Sequence, residues 1–265
     1  MKLLVSSSVI TFKEKAEKIW GLEEYKYPRD KHEPTCFFGM YHCGDYYHCL
    51  RHKGEKSVFW CGHDLVNLKN NRLPLYKMFR EIDNYVENRV EQEDLEEFGI
   101  SSFIRPSFLE DVPPVSYKHS DRPKVYVSGH AGREEEYGFA FIEKIAKQVP
   151  ECFFALYGAE WKSNLTNVFC FGKVPPEQFN EEIKDYQCGL RTNEHDGFSE
   201  ITAKSILLGG YPITRIKYPM IDSYETEEEL IKLLKDLKNK KEPNIKAREF
   251  WLKNINQYPW TQKKS

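Results

Sequence analysis

The chain reads Leu190-Arg191-Thr192-Asn193-Glu194-His195-Asp196-Gly197-Phe198-Ser199-Glu200 where a predicted strand passes through a polar turn into a predicted helix. In a parallel sheet such a turn lies at the carboxyl end of the strand, where ligands bind. Ser199 and Glu200 stand at the helix start, whose backbone N–H groups favour an anion such as a pyrophosphate. Arg191 adds a guanidinium that can grip two phosphate oxygens. The stretch predicts an anion-binding turn of an α/β protein, although a plain turn with a Ser199 cap also explains it.

Apolar runs alternate with helical stretches on both sides of this turn. Such alternation favours an α/β fold with mainly parallel strands. The predicted strands are 2–7, 36–40, 57–61, 83–86, 100–104, 124–128, 152–157, 167–171, 188–192 and 211–215. The predicted helices are 45–52, 91–98, 134–148, 176–186, 199–208, a stretch around 230–237 and 245–255. Residues 109–123 are rich in proline and polar residues and are predicted to link two domains.

The charge and hydropathy of the chain exclude some classes of protein. The formal net charge is −2 over 265 residues, whereas proteins that bind nucleic acid need a cationic excess or stripe. A nucleic-acid partner is therefore not expected. No apolar run reaches the roughly 18 residues of a membrane span. The short apolar start is expected to be a first strand rather than a signal peptide.

The cysteines point to a reducing compartment. There are seven, an odd number, which predicts free thiols and a cytoplasmic location. Four of them lie close to four histidines between residues 36 and 63. No Cys-x-x-Cys pair occurs there and the spacings are irregular, so buried thiols are expected rather than zinc. We expect neither a metal nor a cofactor.

The stretch from about 124 to 240 resembles the donor half of the B-type glycosyltransferases, in particular the large retaining, metal-independent family that uses nucleotide sugars. That family has a Glu-Gly-Phe-Gly-like turn, then a helix with a second Glu, then Gly-x-Pro before a strand. The resemblance implies a GT-B-like fold, in which two Rossmann-like domains with mainly parallel sheets face a cleft. The implied parts are a compact acceptor-side domain over 1–120, a nucleotide-sugar domain over 121–245, and a terminal helix over 246–265 that packs back on the first domain.

The resemblance also implies roles for the turn. Asp196 occupies the family's first acidic position, which faces the transferred sugar. The backbone that cradles the donor diphosphate in the family corresponds here to Gly197, Phe198 and Ser199.

One position departs from the family pattern. The second Glu of the family, eight residues after the first, holds the ribose hydroxyls, and this chain has Lys204 there. A lysine cannot accept hydrogen bonds from ribose. Three alternatives follow: Glu200 or another group takes over the ribose, Lys204 contacts phosphate, or activity is changed or lost.

Two further loops join a strand to a helix in the second half. Gly129 and Arg133, in Val127-Ser128-Gly129-His130-Ala131-Gly132-Arg133, suit a diphosphate approached by backbone and held by a guanidinium. The loop resembles the family's first basic phosphate loop, although a surface turn explains it equally. Lys173 and Val174 follow Phe171-Gly172 and resemble the family's base-binding loop, where a simple strand end is the alternative.

In the first half, Phe59-Trp60-Cys61-Gly62-His63-Asp64 closes a strand. It resembles a Gly-Ser-Asp-like turn that faces the cleft in the family, which makes His63 and Asp64 candidates for contact with acceptor or sugar. A histidine at a strand end suits proton transfer near neutral pH. The alternative is a structural turn in which Asp64 caps a helix.

The resemblance implies a hexosyltransferase-like enzyme. The expected reaction moves a sugar from a nucleotide-diphosphate donor to a hydroxyl acceptor, glycan, lipid-linked or other, and the resemblance implies retention. A donor-binding partner subunit with altered catalysis is one alternative. The others are a nucleotide-sugar epimerase and a glycosyltransferase that acts on modified DNA bases.

Overall fold

The computed structural model describes residues 1–71 and 74–261, and residues 262–265 of the predicted terminal segment lie outside it. The chain divides into two compact units. The first unit comprises Met1–Asp111, His195–Phe198 and the chain from Asn254, and the second comprises Val112–Glu194 and Ser199–Lys253.

The first unit is built on a parallel sheet. Its strands lie in the order β2-β1-β3-β4-β5-β6, and every described pair is parallel. The strands are β1 (Lys2–Val5), β2 (Glu23–Glu24), β3 (Thr35–Phe38), β4 (Lys56–Phe59), β5 (Asp83–Val86) and β6 (Phe103–Ile104). The helices are α1 (Lys13–Trp20), α2 (Cys43–Arg51), α3 (His63–Asn71) and α4 (Arg89–Glu96), with 3₁₀ segments at Ser7–Phe12 and Pro74–Glu81.

This sheet is covered on both faces. All four residues of β3 are buried, as expected for a parallel strand with helices on each side. Alternate residues of β3 enter different clusters: Phe37 packs with Trp60 and Phe79, whereas Phe38 packs with Trp20 and Phe59. Apolar burial on both faces is the main stabilising contribution to such a sheet.

The second unit repeats the plan. Its strands lie in the order β12-β11-β10-β7-β8-β9, again parallel. The strands are β7 (Lys124–Ser128), β8 (Phe153–Tyr157), β9 (Val168–Gly172), β10 (Cys188–Arg191), β11 (Ile213–Thr214) and β12 (Asp222–Ser223). The helices are α5 (Phe139–Ala146), α6 (Pro176–Glu182), α7 (Glu200–Leu207), α8 (Glu227–Asp236) and α9 (Ile245–Asn254).

The strand order of the second unit creates a crevice for ligands. From β7 the chain builds outward through β8 and β9 and then returns to the other side with β10. The loops after β7 and β10 therefore leave in opposite directions, which is the topological switch point where α/β sheets bind ligands.

One helix prediction was wrong at its start. The predicted helix over 134–148 begins only at Phe139. Gly138 has a left-handed backbone with φ of 72°, and residues 134–138 before the helix form turns. This late start leaves residues 129–138 as a loop over the end of the sheet. In the described residues, no helix is long and apolar enough to cross a membrane.

Candidate functional site

The carboxyl ends of β7 and β10 bring two arginines onto one ring. The guanidinium carbon of Arg191 lies 4.7 Å from the ring centroid of Tyr137, and that of Arg133 lies 5.6 Å from the same centroid. Arg191 Nη1 also donates to the Ser128 carbonyl over 3.3 Å. Cations over an aromatic face are attracted by its quadrupole, so the ring holds both charges at the switch point.

Two loops at this point are tied to each other. Thr192 Oγ1 donates to the Tyr137 carbonyl over 3.1 Å, and Asn193 Nδ2 donates to the Glu136 carbonyl over 3.3 Å. Arg133 Nε donates to Glu136 over 2.6 Å. Both arginines are therefore oriented before an anion binds, which lowers the entropic cost of binding, although at Arg133 the anion competes with the Glu136 carboxylate.

Position 129 requires glycine because its backbone lies close to neighbouring residues. A Cβ at this position would lie 2.9 Å from the Phe139 ring. The Gly129 N–H donates to the Tyr157 carbonyl over 2.9 Å. The loop can therefore pass close to the start of α5 only if residue 129 has no side chain.

Helix α7 begins as the sequence predicted. Ser199 is its N-cap, and its Oγ accepts a hydrogen bond from the Thr202 N–H over 3.3 Å. Glu200 follows in the first turn with 41% of its side chain exposed. Partial positive charge at this helix start favours an anion.

Lys204 does not point to solvent. Only 7% of its side chain is exposed, and its Nζ lies 3.4 Å from Glu200 Oε2. The ammonium also lies 5.6 Å from the centroid of the Phe179 ring. The Lys204 ammonium is thus buried beside a carboxylate and an aromatic ring.

The loop after β9 supplies the other pair that the sequence singled out. Lys173 is exposed, whereas Val174 is half-buried and packs against the cluster of Tyr126 and Tyr157 that Phe179 also joins. Val174 and Lys204 therefore border the same aromatic cluster. The described contacts do not bring Lys173 to either arginine.

The turn 195–198 belongs to the first unit, although it precedes α7. Asn88 Nδ2 donates to the Asp196 carbonyl over 2.6 Å, and the Phe198 N–H donates to Glu87 Oε2 over 2.8 Å. A Cβ on Gly197 would lie 2.1 Å from Glu87 Oε2. Both peptide groups of Gly197 are thus fixed from the end of β5, and only glycine fits between them.

A buried group of carboxyls surrounds this turn. Burial raises the pKa of Glu87 to about 7 and that of Asp64 to about 6. The pKa of Glu91 is raised well above its usual value, first by burial and then by the charge of Glu87. The negative charge of Asp196 further raises the pKa values of Glu87 and Glu91. Carboxyl groups that are buried close together cannot all ionise, because their negative charges repel each other. The cluster as a whole therefore retains a proton near neutral pH.

The two candidates after β4 differ in access. Asp64 is fully buried, and it accepts hydrogen bonds from the Met40 N–H over 2.8 Å and the Cys61 N–H over 2.9 Å. His63 is exposed. A substrate can therefore touch His63 in this structure, whereas Asp64 joins the ends of β3 and β4.

Sequence reasoning missed Glu87, Asn88 and Tyr137. Asn88-Arg89-Val90-Glu91 matches the pattern of a helix cap with an acidic residue three positions later, and Asn88 does cap α4. That signal located a helix start but gave no sign of a link to residues 196–198. No sequence signal separates Tyr137 from the other tyrosines.

Within residues 1–71 and 74–261, no group of three or more His, Cys, Asp or Glu side chains could hold a metal ion. The seven cysteines are free thiols.

Comparisons with known proteins identify the fold. No family model matches the sequence, and no curated protein matches it. Among solved structures, S. aureus TarM in complex with UDP, alpha-GlcNAc-glycerol and fondaparinux has a TM-score of 0.59 at 13% identity, over 86% of this chain and 53% of that one. The lipopolysaccharide outer core galactosyltransferase WaaB has 0.62 at 11% identity, over 97% and 79%. Sucrose-phosphate synthase from Thermosynechococcus elongatus has 0.65 at 12%, over 97% and 75%.

These proteins are GT-B glycosyltransferases, and the chain shares their α/β fold. It spans about half the length of the TarM and GtfA chains that it matches. At such low identity the likeness concerns the fold, and a fold hosts more than one activity.

Proposed function

We propose that the chain is a glycosyltransferase that takes its sugar from a nucleotide-diphosphate donor. The observation that carries the proposal is the pair of arginines, Arg133 and Arg191, gathered on Tyr137 at the switch point of the second unit. Guanidinium groups bind phosphate oxygens in pairs and keep their charge at any physiological pH. The fold, shared with UDP-bound TarM, supports the same assignment.

The donor diphosphate is assigned to Arg133, Arg191 and the start of α7 at Ser199. The Phe198 N–H already has the Glu87 carboxylate as its acceptor, so we assign no phosphate contact to it. Backbone groups of Lys173 and Val174 are assigned to the nucleobase edge, as the family resemblance suggests. Gly129 lets the loop approach the phosphates closely.

The reaction breaks the bond between the sugar C1 and the diphosphate oxygen and joins C1 to the acceptor oxygen. Negative charge grows on the leaving diphosphate, and the two arginines stabilise it without a metal. Asp196 is proposed to face the transferred sugar, and exposed His63 is the proposed contact of the first unit with sugar or acceptor. The acceptor proton leaves to the departing phosphate or to a side chain, and retention of configuration is part of the proposal.

Lys204 is proposed to add positive charge to the donor site. It is held by Glu200 and lies near the Phe179 ring. The family's ribose contact then passes to Glu200, whose carboxylate can accept hydroxyl protons. A cytoplasmic location belongs to the proposal too, because the seven thiols are free and a reducing compartment keeps them so.

Lys204 also motivates a second candidate function, a subunit that binds a donor and lacks transferase activity. Both functions predict nucleotide binding, but only the enzyme releases the nucleoside diphosphate from the nucleotide sugar.

A thermal-shift screen with UDP, GDP, ADP, CMP and dTDP, and with the sugars of these nucleotides, tests the proposal. A ligand at a hundredfold excess over its dissociation constant stabilises the fold by about 2.7 kcal/mol, which raises the Tm by several degrees. We expect one base to stand out. No shift with any of these compounds at millimolar concentration would refute donor binding.

A further inference from the structure

The end of β5 holds the turn that carries Asp196. We propose that Glu87 and Asn88 are positioning residues, which fix the Asp196-Gly197-Phe198 turn so that the Asp196 carboxylate stands at one place for catalysis. The role of Asp196 in this statement rests on the proposed function, whereas the fixing of the turn does not.

The two side chains act on the two sides of one glycine. Asn88 binds the carbonyl before Gly197, and Glu87 binds the N–H after it. These groups belong to consecutive peptide planes, so the two bonds together restrict both backbone torsions of Gly197. Asp196 is attached directly to the first of these planes.

Burial strengthens the two hydrogen bonds that Glu87 and Asn88 make to the turn. Glu87 is 7% exposed and Asn88 1% exposed. A buried hydrogen bond is electrostatically stronger than one exposed to water, and the loss of one partner leaves the other unsatisfied. The turn therefore has little freedom to move away while Glu87 and Asn88 are present.

Glu87 and Asn88 are themselves fixed from other directions. Glu87 Oε1 accepts the Ser107 N–H over 2.9 Å and the Ser107 hydroxyl over 2.5 Å. Glu91 Oε2 accepts the Glu87 N–H over 2.6 Å, and Asn88 Oδ1 accepts the Glu91 N–H over 3.0 Å. Residues that position a reacting group need such support, because an error of about 1 Å costs roughly a hundredfold in rate.

A competing interpretation gives Glu87 the opposite effect. Its carboxylate occupies a backbone N–H next to a helix start, so it would act as an internal anion that keeps a diphosphate away. Under that interpretation its removal tightens UDP binding. Under the positioning role its removal leaves UDP binding unchanged and lowers turnover, so the two roles predict different results.

Two variants remove the hydrogen bonds to the turn, and a third serves as a control for a general loss of stability. In Glu87→Gln, one oxygen becomes an NH₂ group that must face an N–H donor, because both oxygens of Glu87 accept hydrogen bonds. In Asn88→Ser, the hydroxyl still caps α4, since serine and asparagine are comparable N-caps, but the donor to Asp196 is lost. The control is Asp45→Asn, which changes another buried carboxylate of the first unit that accepts the Tyr41 and His42 N–H groups.

Three quantities are measured for each full-length variant: hydrogen exchange in the segment 195–200, the Kd for UDP, and the kcat for UDP release from a UDP-sugar. We expect both variants to exchange at least about tenfold faster in this segment, which corresponds to the loss of one buried hydrogen bond. The kcat should fall about a hundredfold with the Kd for UDP changed less than twofold. Asp45→Asn should leave all three unchanged.

Unchanged exchange in 195–200 overturns the proposal, and so does tighter UDP binding by Glu87→Gln. Faster exchange with normal kcat in an active enzyme overturns the positioning role as well. If the wild type binds none of the nucleoside diphosphates of the thermal-shift screen and releases none from the corresponding sugars, the proposed function fails, and the exchange rates alone then decide whether Glu87 and Asn88 hold the turn.

Discussion

Glu87 Oε2 accepts the backbone N–H of Phe198 over 2.8 Å, although 111 positions separate the two residues in the sequence. The bond joins the end of β5 to the turn that precedes α7. It buries a carboxylate among other carboxyls, so the stability of the protein should depend on how many of them are ionised.

The free energy of unfolding should fall as the pH rises from 5 to 8. The pKa of Glu87 is about 7 and that of Asp64 about 6 in the folded chain, both above the usual values of carboxyls. A raised pKa means that the folded state binds the proton more tightly than the unfolded state does. The stabilisation is present below the unfolded-state pKa and is lost as the pH rises through the folded-state pKa.

Glu87→Gln removes the titration of Glu87 and also the charge that raises the pKa of Glu91, whereas Asp64 and Asp196 keep their carboxyls. Urea unfolding at pH 5, 6, 7 and 8 should show a decline that is about 2 kcal/mol smaller in the variant than in the wild type. Equal slopes would show that Glu87 titrates near its usual pKa.

Substitution of Asp64 should mainly lower stability, whereas substitution of His63 should mainly lower turnover. Asp64→Ala removes the acceptor of three backbone N–H groups and should lower the free energy of unfolding by roughly 1–3 kcal/mol. His63→Ala changes an exposed side chain and should change stability by less than about 0.5 kcal/mol. If His63 takes part in proton transfer, His63→Ala lowers kcat about a hundredfold or more. Full turnover in His63→Ala would remove it from the site.

Lys204→Glu should weaken UDP binding and destabilise the fold. It places a carboxylate within reach of Glu200, where an ammonium lies now. Because Glu200 is partly exposed, solvent screening limits the cost to about 1–2 kcal/mol of unfolding free energy. Lys204→Met is the control that keeps the chain length over Phe179, and it should weaken binding without the repulsion. Tighter binding of a UDP-sugar by Lys204→Glu would instead indicate a restored ribose contact.

EDTA should leave the Tm and the release of UDP unchanged. No cluster of metal-ligating side chains occurs in the part of the chain that the structure describes, and the proposed charge stabilisation uses guanidinium groups. Elemental analysis of the purified protein is the complementary measurement. One zinc per chain, lost together with the fold, would contradict this expectation.

Most strands of the two sheets could be predicted from the sequence. The strand over 83–86 was predicted with the bounds that β5 has, and β7 over 124–128 likewise, because apolar runs between polar loops are a local signal. Helix α1 was missed. Its buried residues, Ala16 and Trp20, are too few for a clear helical period, and tertiary packing decides its place.

The placement of the candidate site residues was predictable only in part, and their roles stay predictions. Arg133 and Arg191 were predicted separately from their loops, and the parallel pairing of β7 with β10 places those loops at neighbouring strand ends. The link from Glu87 to Phe198 was not predictable, because nothing local marks two residues that meet only through the fold. The burial of Lys204 was equally hidden, since a lysine in a helix is exposed in most proteins.

The most direct test of the central claim is a calorimetric titration of UDP into the wild type, Arg191→Ala and Arg215→Ala. Arg215 is a matched control, since it too lies over a tyrosine, Tyr224, and pairs with Glu194 over 2.8 Å. We predict one UDP per wild-type chain and an affinity loss of about 1.5–3 kcal/mol in Arg191→Ala, the scale of a hydrogen bond to a charged group, with Arg215→Ala within twofold of wild type. Equal affinity in the wild type and a folded Arg191→Ala, or no binding of UDP, GDP, ADP or dTDP by the wild type at millimolar concentration, would contradict the account.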